Sequence, residues 1–227
     1  MNTHYTYLII LAASFSGPLV LSFDKKVQFY KKWKWVFPAI ILPAVFYIFW
    51  DIYFTNKGVW SFNENYILGL KLFHLPVEEV LFFLVVPYCC VFIYECIRTY
   101  FPAFKKNRSA DFILQLIALF LLIAGLIFYN KNYTSCTCIM CALFIALIYV
   151  FKKFFRNFDS ASFLLSYAVI LIPFLIVNGF LTAIPVVLYN EAEMLGYRIF
   201  TIPVEDVIYG MLLVLMNISI YERLKSK

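Results

Sequence analysis

Charge is scarce in this chain: Asp, Glu, Lys and Arg make up 14% of its 227 residues, with only two histidines. So few charges exclude an ordinary soluble domain, and 64% apolar residues, 21% aromatics and a mean hydropathy of +0.85 point to a membrane protein. Glycine is also sparse, at seven residues, and no GxGxxG occurs. Without that fingerprint no bound dinucleotide or flavin is expected. Metal ligands are no better supplied. Cys136, Cys138 and Cys141 cluster, but no histidine or fourth thiolate stands near them, so no metal site is expected. A disulfide among the three would require an oxidising membrane face. Cys89, Cys90 and Cys96 read as polarizable packing residues inside a helix.

What is present is length of apolar run. Seven stretches approach or exceed the roughly 20 residues that a membrane-crossing helix needs: Tyr5 to Phe23, Trp35 to Phe54, Val77 to Ile97, Phe112 to Tyr129, Thr137 to Phe151, Phe163 to Leu188 and Val204 to Leu224. The fifth is short, and the length of the sixth suggests a strong tilt or a break near Asn178 and Gly179. The expected fold is an all-α membrane protein, a single transmembrane domain over 1–227. The first segment has no basic stretch before it, whereas Lys25 and Lys26 follow at once, so it reads as a retained helix rather than a signal peptide. Fifteen of the nineteen basic residues follow segments 1, 3, 5 and 7, against four on the opposite side: Lys57, Lys71, Lys131 and Arg198. The positive-inside rule then puts the C-terminus in the cytoplasm and the N-terminus outside. The net charge of +6 is accounted for by this topology and by anionic headgroups, and no nucleic acid is implied.

A repeat lies under the hydrophobicity. At an offset of 127 residues, and without a gap from Asp51 to Glu95, Thr55 meets Thr182, Asn63 meets Asn190, Glu64 meets Glu191, and Leu68 and Gly69 meet Leu195 and Gly196. Phe73 likewise meets Phe200, Pro76 to Glu78 meet Pro203 to Glu205, and Tyr94 and Glu95 meet Tyr221 and Glu222. Most of these matches are polar, Gly or Pro, so hydrophobic bias does not explain them. The reading is two parallel three-helix repeats, 1–108 and 132–227, joined by a linking helix at 109–131. Parallel repeats share a pseudo-twofold axis along the membrane normal, which puts both copies of the acidic motif at the same outer face.

That motif is Pro-Val-Glu-Glu at Pro76 to Glu79 and Pro-Val-Glu-Asp at Pro203 to Asp206. One explanation is purely structural, since Pro and acids are both favoured in the first turn of a helix. Against it, an acid at the edge of hydrocarbon is expensive unless it faces a protein interior, and two motifs can share one interior. Helical spacing puts Asp206, Tyr209, Gly210, Asn217 and Tyr221 on one stripe, and Glu79, Phe82, Phe83, Cys90 and Tyr94 on its counterpart. Glu78 and Glu205 sit about 100° around their helices, and spacing alone does not choose between the first and second acids. The repeat also pairs Asp51 with Asn178, either as a hydrogen bond between helices or as part of a site. Buried acids among aromatics suit protonation of a weakly basic apolar substrate. Trp60, Phe73, Phe82, Phe83, Phe200 and Tyr209 are candidates to line such a site and stabilise a cation through their ring faces.

The seven-helix plan, the duplicated Pro-x-Glu-Glu/Asp motif and the segment NGFLTAIPVVLYN, Asn178 to Asn190, resemble the heterodimeric-type lycopene cyclases. In those enzymes two small homologous membrane subunits, here fused, cyclise the ends of lycopene. The resemblance implies that Glu78, Glu79, Glu205 and Asp206 are catalytic and that the substrate is a lipophilic polyene. The reaction it implies is redox-neutral: a proton adds to the terminal double bond, the internal double bond captures the tertiary cation, and loss of a ring proton gives a β-ionone ring. It further implies residence in the cytoplasmic membrane and a carotenoid pathway, with a second copy of the chain or other carotenoid enzymes as candidate partners. Related enzymes form ε-rings, cyclise one end only, or act on C45 and C50 carotenoids, and no residue here decides among these. Asp51, Asn178 and Asn217 join the aromatics as candidate substrate contacts.

Two other classes fit less well. A rhodopsin would need a lysine inside segment 7, which is missing. A proton-coupled transporter is compatible with parallel repeats and membrane acids. The topology is testable: cysteines introduced at positions 64 and 191 should be labelled by an impermeant thiol reagent from outside the cell, and labelling only from the cytoplasmic side would reverse the orientation.

Overall fold

The computed structural model describes residues 3–103 and 107–226. Lys105, Lys106 and Lys227, counted above among the basic residues, lie outside the described residues, as do the outermost ends of the two repeats. Among the described residues, seven helices are long and apolar enough to cross a membrane: α1 (Thr6–Leu21), α2 (Trp33–Asn56), α3 (Val77–Tyr100), α4 (Arg108–Ile127), α5 (Asn132–Val150), α6 (Ser160–Ala183) and α7 (Val204–Lys225).

Two boundaries differ most from the sequence reading. Helix α5 begins at Asn132 rather than Thr137, because the polar residues of its first turn are satisfied inside the protein. Tyr133 and Thr134 donate to acids of α7, and Ser135 donates to the Gly125 carbonyl. Helix α6 runs unbroken through Asn178 and Gly179 but stops at Ala183, where Pro185 takes φ +20° and turns the chain. The residues beyond it form a strand.

That strand, β4 (Val187–Tyr189), pairs antiparallel with β1 (Trp60–Phe62). The register joins Trp60 to Tyr189, Ser61 to Leu188 and Phe62 to Val187, so the 127-residue offset maps Ser61 onto its own partner and exchanges the two outer pairs. Flanking backbone bonds do the same: Asn63 N–H donates to the Val186 carbonyl and Asn190 N–H to the Val59 carbonyl, both at 2.9 Å. A local twofold relation thus passes through Ser61 and Leu188. Other features recur at the same offset. Asn63 and Asn190 each cap a short 3-10 turn, and Gly69 and Gly196 take φ of +82° and +83°, a conformation that glycine adopts without a Cβ penalty. Lys71 pairs with Glu64, and Arg198 with Glu191.

Two further hairpins, β2 (Lys71–Leu72) with β3 (Leu75–Pro76) and β5 (Arg198–Ile199) with β6 (Ile202–Pro203), deliver the chain to α3 and α7. Their tips, Phe73 and Phe200, are 72% and 93% exposed. The expectation that these two rings line a site is therefore corrected: the hairpin turns, with positive φ at both residues, aim them outward.

The core is continuous across the bundle. α3 and α7 pack together, with α1 on α3, α5 on α7, and α2 and α6 against the opposite central helices. At the basic end, Glu95 accepts from Lys32 at 2.5 Å, Lys225 at 2.6 Å and Tyr221 at 2.8 Å, while Arg98 pairs with Glu222. α4 seats on α5 through Gly125, where an added Cβ would come within 2.6 Å of Ile139 and 3.1 Å of the Ser135 carbonyl. Gly125→Val should destabilise the protein by about 1–3 kcal/mol, the usual consequence of overpacking. Thermal unfolding in detergent should show a lower midpoint, and an unchanged one would mean that α4 is loosely held.

Candidate active site

The acids reach the interior because of how the hairpins enter the helices. Pro76 and Pro203 occupy the N-cap positions of α3 and α7, with φ near −60° and extended ψ, so the next residues begin the first turn. Within that turn the two acids of each motif separate. Glu78 and Glu205 are fully buried, and each turns back to the loop before its helix. Glu78 accepts from the Leu68 N–H at 2.6 Å; Glu205 accepts from the Leu195 N–H at 2.8 Å and from the Thr134 hydroxyl at 2.6 Å. The structure thus places these first acids behind the site, fastening the loops.

The second acids, Glu79 and Asp206, both face one chamber, and Asp51 of α2 joins them there. The chamber contains about 650 Å³ of empty space, part of it open to the surroundings. Strands β1 and β4 wall it with Trp60, Phe62, Val187 and Tyr189; α3 supplies Phe82, α6 Phe174 and Asn178, and α7 Tyr209 and Gly210.

Each acid is held by tyrosines. Tyr7 donates to Glu79 Oε2 at 2.5 Å, and Tyr209 to Asp51 Oδ1 at 2.6 Å. Asp206 accepts from Tyr133 at 2.6 Å on one oxygen and from Tyr189 at 2.8 Å on the other. Burial and the Asp206 carboxylate hold the Tyr189 phenol well above its ordinary range, so it remains a donor. Asp51 and Glu79 are neighbours in the chamber. Two ionised carboxylates can only accept hydrogen bonds, so proximity in a dry site favours one proton on such a pair. The chamber therefore presents two different acid environments: a pair of neighbouring acids with one tyrosine each, and a carboxylate held by two hydroxyls.

The tyrosines are fixed by one another. Ring centroids lie 5.1 Å apart for Trp60 and Tyr133, 6.1 Å for Tyr133 and Tyr189, and 6.1 Å for Trp60 and Tyr209, distances typical of edge-on and offset aromatic pairs. Tyr47 adds a ring 4.8 Å from Tyr209 and donates to its carbonyl at 2.9 Å. Their faces and edges surround the acids with polarizable, water-poor surface.

Of the residues singled out from sequence, Glu79, Asp206, Asp51, Asn178, Trp60, Phe82 and Tyr209 meet in the chamber. Phe83 and Asn217 do not. Phe83 is fully buried behind the wall, 5.4 Å from the Tyr47 ring, and Asn217 donates to the Leu213 carbonyl at 2.7 Å deeper in α7. Sequence reasoning missed Tyr7, Tyr133, Tyr189 and Phe174. A signal for two of them existed: Tyr7 and Tyr133 stand 126 residues apart, and each donates to the second acid of its own motif. The offset is one residue short of 127 because the stretch from Tyr133 to the start of α6 is one residue longer than the stretch from Tyr7 to the start of α2. All six cysteines are free, so Cys136, Cys138 and Cys141 are not cross-linked.

Comparison with known proteins bears on this arrangement directly. The family model described as lycopene cyclase matches residues 4–97 and 130–224, leaving out most of the linking helix. Bifunctional lycopene cyclase/phytoene synthases of Aspergillus oryzae and Phaffia rhodozyma are 29% and 31% identical over 94 and 90 residues, or 40% and 37% of this chain. The corresponding protein of Aspergillus niger is 27% identical over 82 residues, 34% of this chain. These matches span only 13–15% of the relatives' own lengths. No solved structure matches. Because the two matched segments contain both acidic motifs, Asp51 and the tyrosines that bind them, the chain belongs to the lycopene cyclase family.

Proposed function

We propose that this chain is a lycopene β-cyclase, an isomerase that closes the linear end groups of lycopene to β-ionone rings without net electron transfer. The observation that carries this reading is the convergence of Asp51, Glu79 and Asp206, from three helices, on one aromatic chamber inside the bundle. On this reading the two halves, 1–108 and 132–227, are duplicated units equivalent to the two subunits of the heterodimeric enzymes, and the motifs form one site.

A proton on the Asp51 and Glu79 pair is the donor. It adds to the terminal double bond of an end group lying against the pair, leaving a tertiary cation. The nearby internal double bond attacks that carbon and closes the six-membered ring, moving the positive charge onto the ring. Asp206, accepting from Tyr133 and Tyr189, is the counter-charge and takes the ring proton whose departure leaves the new double bond. One proton enters and one leaves, so product and substrate are isomers. The rings of Trp60, Tyr133 and Tyr209 stabilise the cation through their faces and exclude water that would trap it as an alcohol. Glu78 and Glu205 act by positioning, since they hold the loops that set the first turns of α3 and α7. The basic end faces the cytoplasm of a cell whose inner membrane holds the protein, and the acid chamber lies toward the opposite face.

Expression in a lycopene-accumulating host should convert lycopene to a cyclic carotenoid. Unchanged lycopene with the protein present in the membrane would overturn the proposal. In deuterated water each ring formed should carry one deuterium, with no stoichiometric demand for NADPH. Glu79→Gln, Asp51→Asn and Asp206→Asn should each lower ring formation by about 10²–10⁴-fold while the protein accumulates, the range usual for loss of an acid or base. Full activity in any of the three would remove that residue from the chemistry.

A further inference from the structure

The chamber has an extension that the reaction itself does not require. A second cavity, about 630 Å³ of empty space with part of it open to the surroundings, lies between α1, α3 and α6 and shares Phe82, Val86, Cys90, Phe174 and Asn178 with the chamber. From there it continues away from the acids, past Ser14 and Pro18 on one side and Ile93 and Ile170 on the other. From Glu79 to Ile93 the helix rises about 20 Å. Beyond Asn178, at the end shared with the chamber, the lining is mostly apolar; the Ser14 hydroxyl donates to the Ile10 carbonyl at 2.7 Å, and the Cys89 thiol to the Ser14 carbonyl at 3.6 Å.

The other half of the protein has the matching cleft, and it is closed off. That cleft, of about 540 Å³ between α2, α5 and α7, shares no lining residue with the chamber. At the offsets that align the two halves, Met140, Phe144 and Met216 stand in it where Ser14, Pro18 and Cys89 stand in the open channel. Tyr47 stands between this cleft and the chamber, its ring 5.6 Å from Phe46 of the cleft and 4.8 Å from Tyr209 of the chamber, and Phe83 packs on it at 5.4 Å; both are fully buried. Their counterparts on the open side are Phe174 and Gly210. A Cβ on Gly210 would come within 2.9 Å of the Phe174 ring, so the missing side chain lets that ring withdraw against α7. One half is plugged by a Tyr–Phe pair, and the other is left open by a Phe–Gly pair.

Resting on the lycopene cyclase reading, we infer that the channel between α1, α3 and α6 is the binding subsite for the polyene tail, and that it is the single passage by which an end group reaches the acids. The chamber therefore takes one end at a time. A substrate cyclised at both ends must leave after the first ring and re-enter reversed, so a monocyclic carotenoid is a free intermediate. Ser14, Cys89 and Val177, well away from the acids, set tail specificity.

The test converts the open channel to its closed counterpart with Ser14→Met and Cys89→Met, made singly and together. Two substrates are compared in membranes: lycopene, and a truncated polyene that keeps one acyclic end group but lacks the far half of the chain. The double variant should lose about tenfold or more in kcat/KM on lycopene, the scale on which a few methylenes in an apolar pocket discriminate. On the truncated substrate it should stay within about twofold of wild type, which also shows that the chamber is folded. Phe144→Ala, in the closed cleft, should change neither substrate. Equal losses on both substrates by both single variants, each accumulated to the wild-type level, would overturn the channel, as would no loss on either. A lycopene-selective loss from Phe144→Ala would overturn the single passage. A wild-type protein that cyclises neither substrate would instead overturn the underlying cyclase reading, and the channel with it.

Discussion

Everything in this protein turns on keeping carboxyl groups inside a membrane-spanning bundle. An acid at the centre of a transmembrane helix costs about 2.5–3.5 kcal/mol on insertion scales, and more where it cannot reach water. Hydrogen bonds to a charged group return about 1.5–3 kcal/mol each, so a carboxylate with two good donors roughly breaks even. Asp206 has two such donors, Tyr133 and Tyr189, on separate oxygens. Asp51 and Glu79 have one tyrosine each and stand as neighbours. The same arithmetic holds at the basic end, where Glu95 is enclosed by Lys32, Lys225 and Tyr221. The acids thus recruit partners from other helices and strands, and this recruitment fixes which elements meet.

It also explains the strand pair. Crossing between helices in irregular backbone would expose unpaired N–H and C=O groups near hydrocarbon. β1 and β4 satisfy one another and simultaneously present Trp60 and Tyr189 to the chamber. The first acids complete the arrangement, because Glu78 and Glu205 bind backbone N–H groups of the loops that follow the strands. The two acids of each motif thus divide: the first fastens a loop, and the second faces the chamber.

Departure from symmetry matters as much as symmetry. Two equivalent halves would give two equivalent clefts. Four replacements break that equivalence: Ser14, Pro18, Cys89 and Gly210 on one side, against Met140, Phe144, Met216 and Phe83 on the other. All are changes of side-chain volume in a close-packed interior, where a few methylenes decide between a wall and a passage.

The sequence by itself determined the membrane class, the number of helices, the 127-residue correspondence and the identity of the paired acids, because apolar length, offset and charge are properties of residues in order. Periodicity also placed Glu79 and Asp206 on stripes shared with aromatics. Tertiary structure alone decided that the second acids face the chamber while the first face the loops, since a 100° rotation has meaning only once the neighbours are in place. It alone brought Asp51 against Glu79, and Tyr133 against Asp206 from 73 residues away. The start of α5 was illegible for the same reason: Tyr133, Thr134 and Ser135 look too polar for a membrane helix until the buried groups that satisfy them are seen. Phe73 and Phe200 erred the other way, because hydrophobicity marks a ring as suited to a site, and only the handedness of a hairpin turn tells whether it points there.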